Sequence, residues 1–269
     1  MPSIPDTALR GPDSRVRTAG LRAAGGRRRG AGPVVLMALG LALLLVPVWH
    51  LWGTDLVAAQ AQERAVVAMS DRLEQAGSAP GTEAGGGGAG TPPVTARPPY
   101  GQLIGLVYVP RFGDDYARPL AEGTDPGVLD TLGLGHYPST ALPGEPGNFA
   151  IAGHRQSKGK ALDLVHTLRP GDRIHVRTVE AYYTYSYRSG EVVAPDETRV
   201  LAPAAGAGSR ILTLTTCYPR WGATERFVGR AELTSWRPAS AGPPAEIAAA
   251  VAGDRVRGEP AGHRLRRSG

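Results

Sequence analysis

The stretch ILTLTTCYP (residues 211–219) is the part of this sequence that says most about the fold. Apolar and hydroxyl side chains alternate along residues 211–217, which predicts a half-buried β-strand, and Pro219 ends the run. Cys217, the only cysteine in the chain, is therefore expected where this strand ends and a loop begins. At such a place a scaffold can hold a reactive group open to a cleft.

Two further side chains are expected at strand ends. His154 follows the apolar run over residues 148–152, and Arg226 begins a predicted strand over residues 226–233. A short loop joins that strand to the one that carries Cys217, so the two strands are expected to pair. A thiol, an imidazole and a guanidinium at loop edges are the groups that covalent acyl transfer needs.

These motifs resemble those of the sortases, the cysteine transpeptidases that attach proteins to Gram-positive cell walls. The signature of that family is T-L-x-T-C, with a histidine upstream and an arginine downstream. The similarity is greatest to class E sortases, through the segments GHYP (135–138), GHR (153–155) and TLTTCYP (213–219). It covers roughly residues 99–234 and implies a closed eight-stranded β-barrel.

The resemblance also implies roles for individual residues. His154, Cys217 and Arg226 match the family's catalytic His, Cys and Arg one by one. Cys217 would form a thioester with an LAXTG- or LPXTG-type sorting signal, cleaved between Thr and Gly, and pass the acyl group to a peptidoglycan precursor amine. No metal or cofactor is expected. Tyr137 is expected to contact the sorting peptide, with packing in the core as the alternative.

Several residues compete for these roles. His136 is the second candidate for the imidazole, whereas His166 and His175 are expected on a helix surface and a strand surface. Arg220 and Arg230 compete for the guanidinium. Some sortases bind calcium through loop acids, although solvated loop residues are the simpler interpretation of the acids here, which are Asp114, Asp115, Glu191, Asp196 and Glu197.

Two other functions remain open at this stage. The first is a different cell-wall cysteine transpeptidase or hydrolase, although the residues around Cys217 lack the His-Gly-Cys or Asp-Cys-type motifs of such enzymes. The second is a non-catalytic anchored binding module, in which Cys217 could be replaced without effect.

The charge distribution argues against nucleic-acid binding. The chain carries a formal net charge of +6, but residues 98–236 contain 14 basic and 14 acidic side chains. The excess of positive charge therefore lies in the segments outside the predicted domain. A domain without a basic excess lacks the electrostatic signature of a nucleic-acid-binding surface.

Short alternating runs separated by turn residues predict a mainly β domain, either a closed barrel or a sandwich. The predicted strands cover residues 103–109, 119–120, 148–152, 173–177, 181–187, 191–194, 211–217 and 226–233. A turn is expected at Ser189-Gly190, and short helices are expected over residues 125–132 and 161–168.

An apolar segment over residues 33–53 predicts a membrane-spanning helix. Arginines precede it and acidic residues follow it, which predicts a cytoplasmic N-terminus and an extracellular catalytic domain. The alternative is a cleaved signal peptide, because residues 59–61 form an A-x-A site. The length of the segment and the distance to that site favour an uncleaved membrane anchor.

Composition then divides the chain into five parts. They are a disordered basic tail (1–32), the transmembrane anchor (33–53), a helical stalk with a Gly/Pro-rich linker (54–98), the catalytic domain (99–236) and a disordered C-terminal tail (237–269).

Overall fold

Eight strands close into a barrel in the computed structural model, which describes residues 32–48, 53–77, 90–206 and 208–258. The order around the barrel is β1-β2-β3-β4-β7-β8-β6-β5. The strands are β1 (Leu103–Tyr108), β2 (Ala117–Glu122), β3 (Leu134–His136), β4 (Gly147–Gly153), β5 (Arg173–Arg177), β6 (Ala181–Val193), β7 (Arg210–Tyr218) and β8 (Glu225–Pro238). The prediction of a mainly β, closed eight-stranded barrel with short helices is confirmed.

Two strand pairs are parallel and bring distant parts of the chain side by side. They are β2 with β3 and β4 with β7, whereas the other neighbours are antiparallel. The barrel interior is filled by aliphatic and aromatic side chains from the inward faces, among them Leu120, Phe149, Ile151, Tyr185 and Leu214. Because side chains alternate along a strand, the residues between them face outward.

The strand that decides the site was predicted well, and some others were not. β6 runs without interruption through Ser189-Gly190, where a turn was predicted, because the long partner strand β8 continues the pairing beyond a register shift. β3 has only three residues, too few for a pattern to reveal it. The helix predicted over residues 161–168 is a 3₁₀ turn, Asp163–Thr167.

Four α-helices lie in the described ranges, namely α1 (Gly32–Val48), α2 (Thr54–Gly77), α3 (Pro126–Leu132) and α4 (Ala248–Gly258). Helix α3 begins as its sequence dictates. The carboxylate of Asp125 accepts a hydrogen bond from the Val128 amide at 3.0 Å, and Pro126 occupies the first helical position. Further 3₁₀ turns connect the strands and precede α4.

The predicted membrane-spanning helix over residues 33–53 is not confirmed. Helix α1 comprises 17 described residues, Gly32–Val48. No helix within the described ranges is both long and apolar enough to cross a membrane. Residues 49–52 of the predicted span lie outside those ranges.

Helices α2 and α4 pack on the outer face of the barrel. One buried cluster joins the two helices and the turn before α4 to strands β1, β2 and β6, and contains Val66, Met69, Leu73, Leu106, Tyr108, Ala117, Tyr182, Ile247, Ala250 and Val251. Polar contacts accompany it, since the Tyr108 hydroxyl donates to Asp254 Oδ2 at 2.9 Å in a buried position. Burial raises the pKa of that carboxyl.

The packed part of the chain therefore extends beyond residues 99–236 on both sides. Residues 54–77 form the predicted helix, but it is docked on the barrel instead of extending as a free stalk. Residues 90–98 also contact the barrel. The Tyr183 hydroxyl of β6 donates to the Pro93 carbonyl at 2.6 Å, and Arg97 pairs with Glu122 of β2 at 3.0 Å. Residues 237–258 are ordered on the barrel. The remaining parts of the predicted tails and linker, residues 1–31, 78–89 and 259–269, lie outside the described residues.

This docking makes a prediction about truncation. A chain cut to residues 99–236 exposes the outward apolar side chains of β1, β2 and β6, and each large buried apolar side chain contributes about 1.5–3 kcal/mol. The total is comparable to the net stability of an ordinary domain. We expect this fragment to aggregate or to unfold without a cooperative transition in scanning calorimetry.

The control for the truncation is a chain of residues 53–258, which retains α2 and α4 and is expected to melt cooperatively. A cooperative transition of the 99–236 fragment within a few degrees of the longer chain would show that the docked helices contribute little.

Candidate active site

Cys217 lies at the end of β7, one residue before the strand ends. Leu212 and Leu214 of this strand face the barrel interior, so the alternation places Cys217 on the opposite face. The side chain is half-buried and forms no disulfide. It is thus accessible at the edge of the barrel, as the sequence predicted for a reactive thiol.

His154 follows the last residue of β4, beside the end of β7. In the parallel pairing of these strands Ala152 lies opposite Thr215, so His154 and Cys217 are each two residues beyond the last pair. The Thr216 hydroxyl donates to the Gly153 carbonyl at 2.7 Å and fixes this end of β4. A side chain at Gly153 would force Leu134 to shift, because its Cδ2 lies 2.9 Å from the position of an added Cβ.

Asp130 is a member of the site that the sequence did not reveal. His154 Nε2 lies 2.7 Å from Asp130 Oδ1, and Lys158 Nζ lies 3.2 Å from the second oxygen of the carboxylate. The contact arises because α3 leads into β3, and Leu134 of β3 pairs with Gly153 of β4. The predicted helix over residues 125–132 was the one sequence signal near Asp130. No sequence motif connects Asp130 with His154.

Arg226 lies directly opposite Cys217 in the antiparallel pair of β7 and β8. Its Nη1 donates to the carbonyl oxygens of Ala223 and Glu225, both at 2.9 Å. The guanidinium is therefore held at the loop that joins the two strands, beside the thiol. A planar cation in such a place can bind a carbonyl oxygen or an oxyanion through more than one N–H group.

The competing arginines lie elsewhere. Arg230 is four residues further along β8, where it pairs with Thr213 and donates to the Thr213 hydroxyl at 3.0 Å. Arg220 is in the loop after Cys217, and its Nη2 donates to Asp163 Oδ2 at 2.9 Å. Of the three arginines, Arg226 is the one whose register places it across from the thiol.

The competing histidines are also placed by the fold. His136 is buried on β3, with Nδ1 2.8 Å from Glu122 Oε2 and Nε2 2.9 Å from the Ala141 carbonyl oxygen, and burial lowers its pKa. Both ring nitrogens are engaged, so His136 is not available as a base at Cys217. His166 is exposed, as predicted. The prediction of a surface position is wrong for His175, which faces outward on β5 but is buried under the segment that carries Glu246.

Tyr137 follows β3 and reaches the Cys217 strand. Its hydroxyl lies 3.0 Å from Thr215 Oγ1, and Thr215 shares the outward face of β7 with Cys217. The ring is half-buried. Tyr137 therefore lies beside the surface that leads to the thiol.

The acidic residues considered for calcium do not form a metal site in the structure. In residues 32–48, 53–77, 90–206 and 208–258, no three His, Cys, Asp or Glu side chains come together as potential ligands. Glu191 and Glu197 instead form ion pairs with Arg199.

Residues 107–234 match the family described as Sortase domain. The chain is 31% identical to Sortase SrtE1 of Streptomyces coelicolor over 259 residues, which cover 89% of this chain and 68% of that protein.

Solved structures show the same similarity. The SrtA sortase from Actinomyces oris is 34% identical with a TM-score of 0.57, and the match covers 60% of this chain and 96% of that one. Sortase E1 from Streptomyces coelicolor, crystallised with a tripeptide in its active site, is 34% identical with a TM-score of 0.51, over 56% of this chain and 99% of that one.

Proposed function

This chain belongs to the sortase family of cysteine transpeptidases and is similar to its class E members, and we propose that it cleaves an LAXTG- or LPXTG-type sorting signal between Thr and Gly and transfers the protein to a cell-wall peptide amine. One observation carries the assignment of the site, namely that Cys217 and Arg226 face each other across β7 and β8. His154 lies at the end of the adjacent strand β4.

In the first step the Cys217 thiolate attacks the carbonyl carbon of the Thr residue in the sorting signal. A free cysteine is mostly protonated at neutral pH, so a charge partner is needed, and the His154 imidazolium provides one. As the tetrahedral intermediate collapses, His154 donates its proton to the departing amine of Gly. The Thr–Gly bond is broken, and the acyl group is held as a thioester on Cys217.

In the second step an amine of the cell-wall precursor attacks the thioester. His154 accepts the proton that the amine loses, which reverses its role in the first step. The new amide bond forms and the thiolate of Cys217 is released. No redox change or cofactor is needed for either step.

We assign Arg226 the role of binding the oxyanion or the carbonyl groups of the sorting peptide. Its Nη1 is used by the carbonyls of the connecting loop, so the substrate would be met by Nη2 and Nε. These donors would stabilise negative charge as it develops on the Thr carbonyl oxygen, where a fixed donor is most effective.

We assign Tyr137 a role in binding the sorting peptide. The related sortase E1 holds a tripeptide in its active site, which supports a peptide-binding surface in this chain. The contact between Tyr137 and Thr215 fixes the ring two residues before the nucleophile, on the same face of β7. A peptide with its Thr carbonyl at Cys217 would pass this ring.

Membrane attachment is also part of the proposal. The apolar segment over residues 33–53 would anchor the protein, with residues 1–32 in the cytoplasm and the catalytic domain outside. Cleavage after residue 61 would remove the first two turns of α2, including Asp55, which pairs with Lys160 at 2.8 Å. Protease added to protoplasts should digest the catalytic domain, whereas a mature N-terminus at Gln62 would show a cleaved signal peptide instead.

The transpeptidase activity can be tested with the full-length chain, an LAXTG peptide and a short peptide with a free amino terminus. The expected product joins the peptide, up to its Thr, to the added amine. Release of the Thr carboxylate alone, whatever the amine concentration, would indicate a hydrolase. Binding of the peptide without any cleavage would indicate a binding module.

Asp130 is expected to assist His154 by fixing the orientation of its ring. We expect Asp130→Asn to lower kcat/KM for peptide cleavage by roughly tenfold to a hundredfold, part of what a positioned acid–base group contributes. Asp125→Asn makes the same chemical change on the same helix. It should leave kcat/KM unchanged, because asparagine caps a helix as well as aspartate. Equal effects of the two changes would contradict the role of Asp130.

A further inference from the structure

Arg155, the residue after His154, is buried beside the nucleophile. Its Nη1 donates to the Cys217 carbonyl oxygen at 3.4 Å, and its Cζ lies 5.3 Å from the centroid of the Tyr218 ring. The residue is only 5% exposed. The sequence drew attention to Arg155 through the segment GHR, but the catalytic scheme so far gives it no role.

The charge of Arg155 is not balanced by an acid in the part of the chain that the structure describes. Among the residues that the structure describes, no carboxylate forms an ion pair with it, and its Nε is buried without a hydrogen-bond partner. A buried guanidinium is normally retained only where an anion or several acceptors compensate it. The ring of Tyr218 compensates in part, because an aromatic face attracts a cation.

The Cys217 thiolate is an anion that would lie close to this guanidinium, because Arg155 contacts the backbone of Cys217 itself. Covalent geometry keeps the sulfur of a cysteine within about 5 Å of its own carbonyl oxygen. The guanidinium therefore lies within about 8 Å of Sγ. Because Arg155 itself is buried, its charge is screened less than that of a cation at an exposed surface.

We propose that Arg155 is a positioning residue that favours the thiolate of Cys217 and holds the end of β7 through the Cys217 carbonyl. This role presupposes that Cys217 is the nucleophile of the proposed function. The two arginines then have different roles. Arg226 contacts the connecting loop and the substrate, whereas Arg155 contacts the backbone of Cys217 and favours its thiolate. His154 then need not be the only positive charge that supports the thiolate.

The test is the rate at which iodoacetamide alkylates Cys217 in the full-length chain, measured from pH 5 to pH 10. Alkylation reports the thiolate population directly and needs no sorting peptide. We expect Arg155→Gln to lower the rate at pH 7 about tenfold and to move the profile about one unit toward higher pH. Arg155→Lys keeps the charge and should stay within about threefold of the unchanged chain.

Arg220→Gln is the matched control, because Arg220 lies in the loop after Cys217 but has a side chain that is 47% exposed and paired with Asp163. Its alkylation profile should equal that of the unchanged chain. A profile of Arg155→Gln that also equals it would overturn the proposal. Equal shifts for Arg155→Gln and Arg220→Gln would overturn it too, because a general loss of charge would then explain the result.

A second variant covers the case in which Arg155→Gln does not fold, which its melting curve would reveal. Tyr218→Leu removes the ring that holds the guanidinium, and we expect a twofold to fivefold lower rate at pH 7, about what the loss of a cation–π contact supports. An unchanged profile for this variant would count against the proposal. If Arg155→Gln shifts the profile while the unchanged chain turns over no sorting peptide, the proposed function fails and the role of Arg155 stands.

Discussion

Replacing Cys217 with alanine is expected to abolish cleavage of the sorting peptide. No other group in the site can form the thioester, so we expect kcat to fall by at least about 10⁴-fold, the scale seen when a nucleophile is removed. The fold should persist, because Cys217 is half-buried at the edge of the barrel and forms no disulfide. Peptide turnover followed by chromatography, together with a thermal melt, gives both results.

Cys217→Ser is the matched variant for this prediction. It keeps the size and a hydroxyl in place of the thiol, but a serine hydroxyl does not ionise near neutral pH without a strong base. We expect it to be nearly as inactive as the alanine variant. Full activity of Cys217→Ala would end the assignment of the chain as a transpeptidase acting through this thiol.

Replacing Arg226 with lysine is expected to remove most of the turnover while Cys217 still reacts with iodoacetamide. A lysine places one point charge where the guanidinium has a planar set of donors, so the oxyanion loses at least one hydrogen bond. The loss of one such donor typically costs about 10²–10³ in kcat. The thiol should remain reactive, because its environment includes His154 and Arg155 as well.

Arg230→Lys is the control for Arg226→Lys, since both residues lie on β8 and share a face four residues apart. Arg230 donates to the Thr213 hydroxyl and lies away from the thiol, so its replacement should change neither turnover nor alkylation appreciably. The opposite pattern, an inactive Arg230→Lys and a nearly unchanged Arg226→Lys, would show that the two arginines have been assigned the wrong way round.

The parts of the structure that the sequence predicted are those set by local pattern. The alternation along residues 211–217 identified β7, and the short connection to residue 226 implied an antiparallel pair with Cys217 and Arg226 at the end next to the connecting loop. β5 (Arg173–Arg177) was predicted over the observed residues for the same reason. Such features depend on side-chain period and turn residues, which a single sequence displays.

The parts of the structure that the sequence did not predict depend on contacts between distant segments. Asp130 meets His154 only because α3 and β3 carry it to the end of β4. Helix α4 is stabilised by apolar side chains of β1 and β6, which the composition of residues 237–258 does not reveal. His175 was predicted on a strand surface, but the segment that covers this face of β5 could not be foreseen. Tertiary burial decides each of these cases.

The central claim is that Cys217 carries the acyl group between the two steps. The most direct measurement is intact-protein and peptide mass spectrometry of the full-length chain after acid quenching of its reaction with an LAXTG peptide, without added amine. The account predicts an adduct on Cys217 with the mass of the peptide up to its Thr less one water, which disappears when an amine is added. Cleavage of the peptide by the Cys217→Ala chain, or an acyl adduct on any other residue, would contradict it.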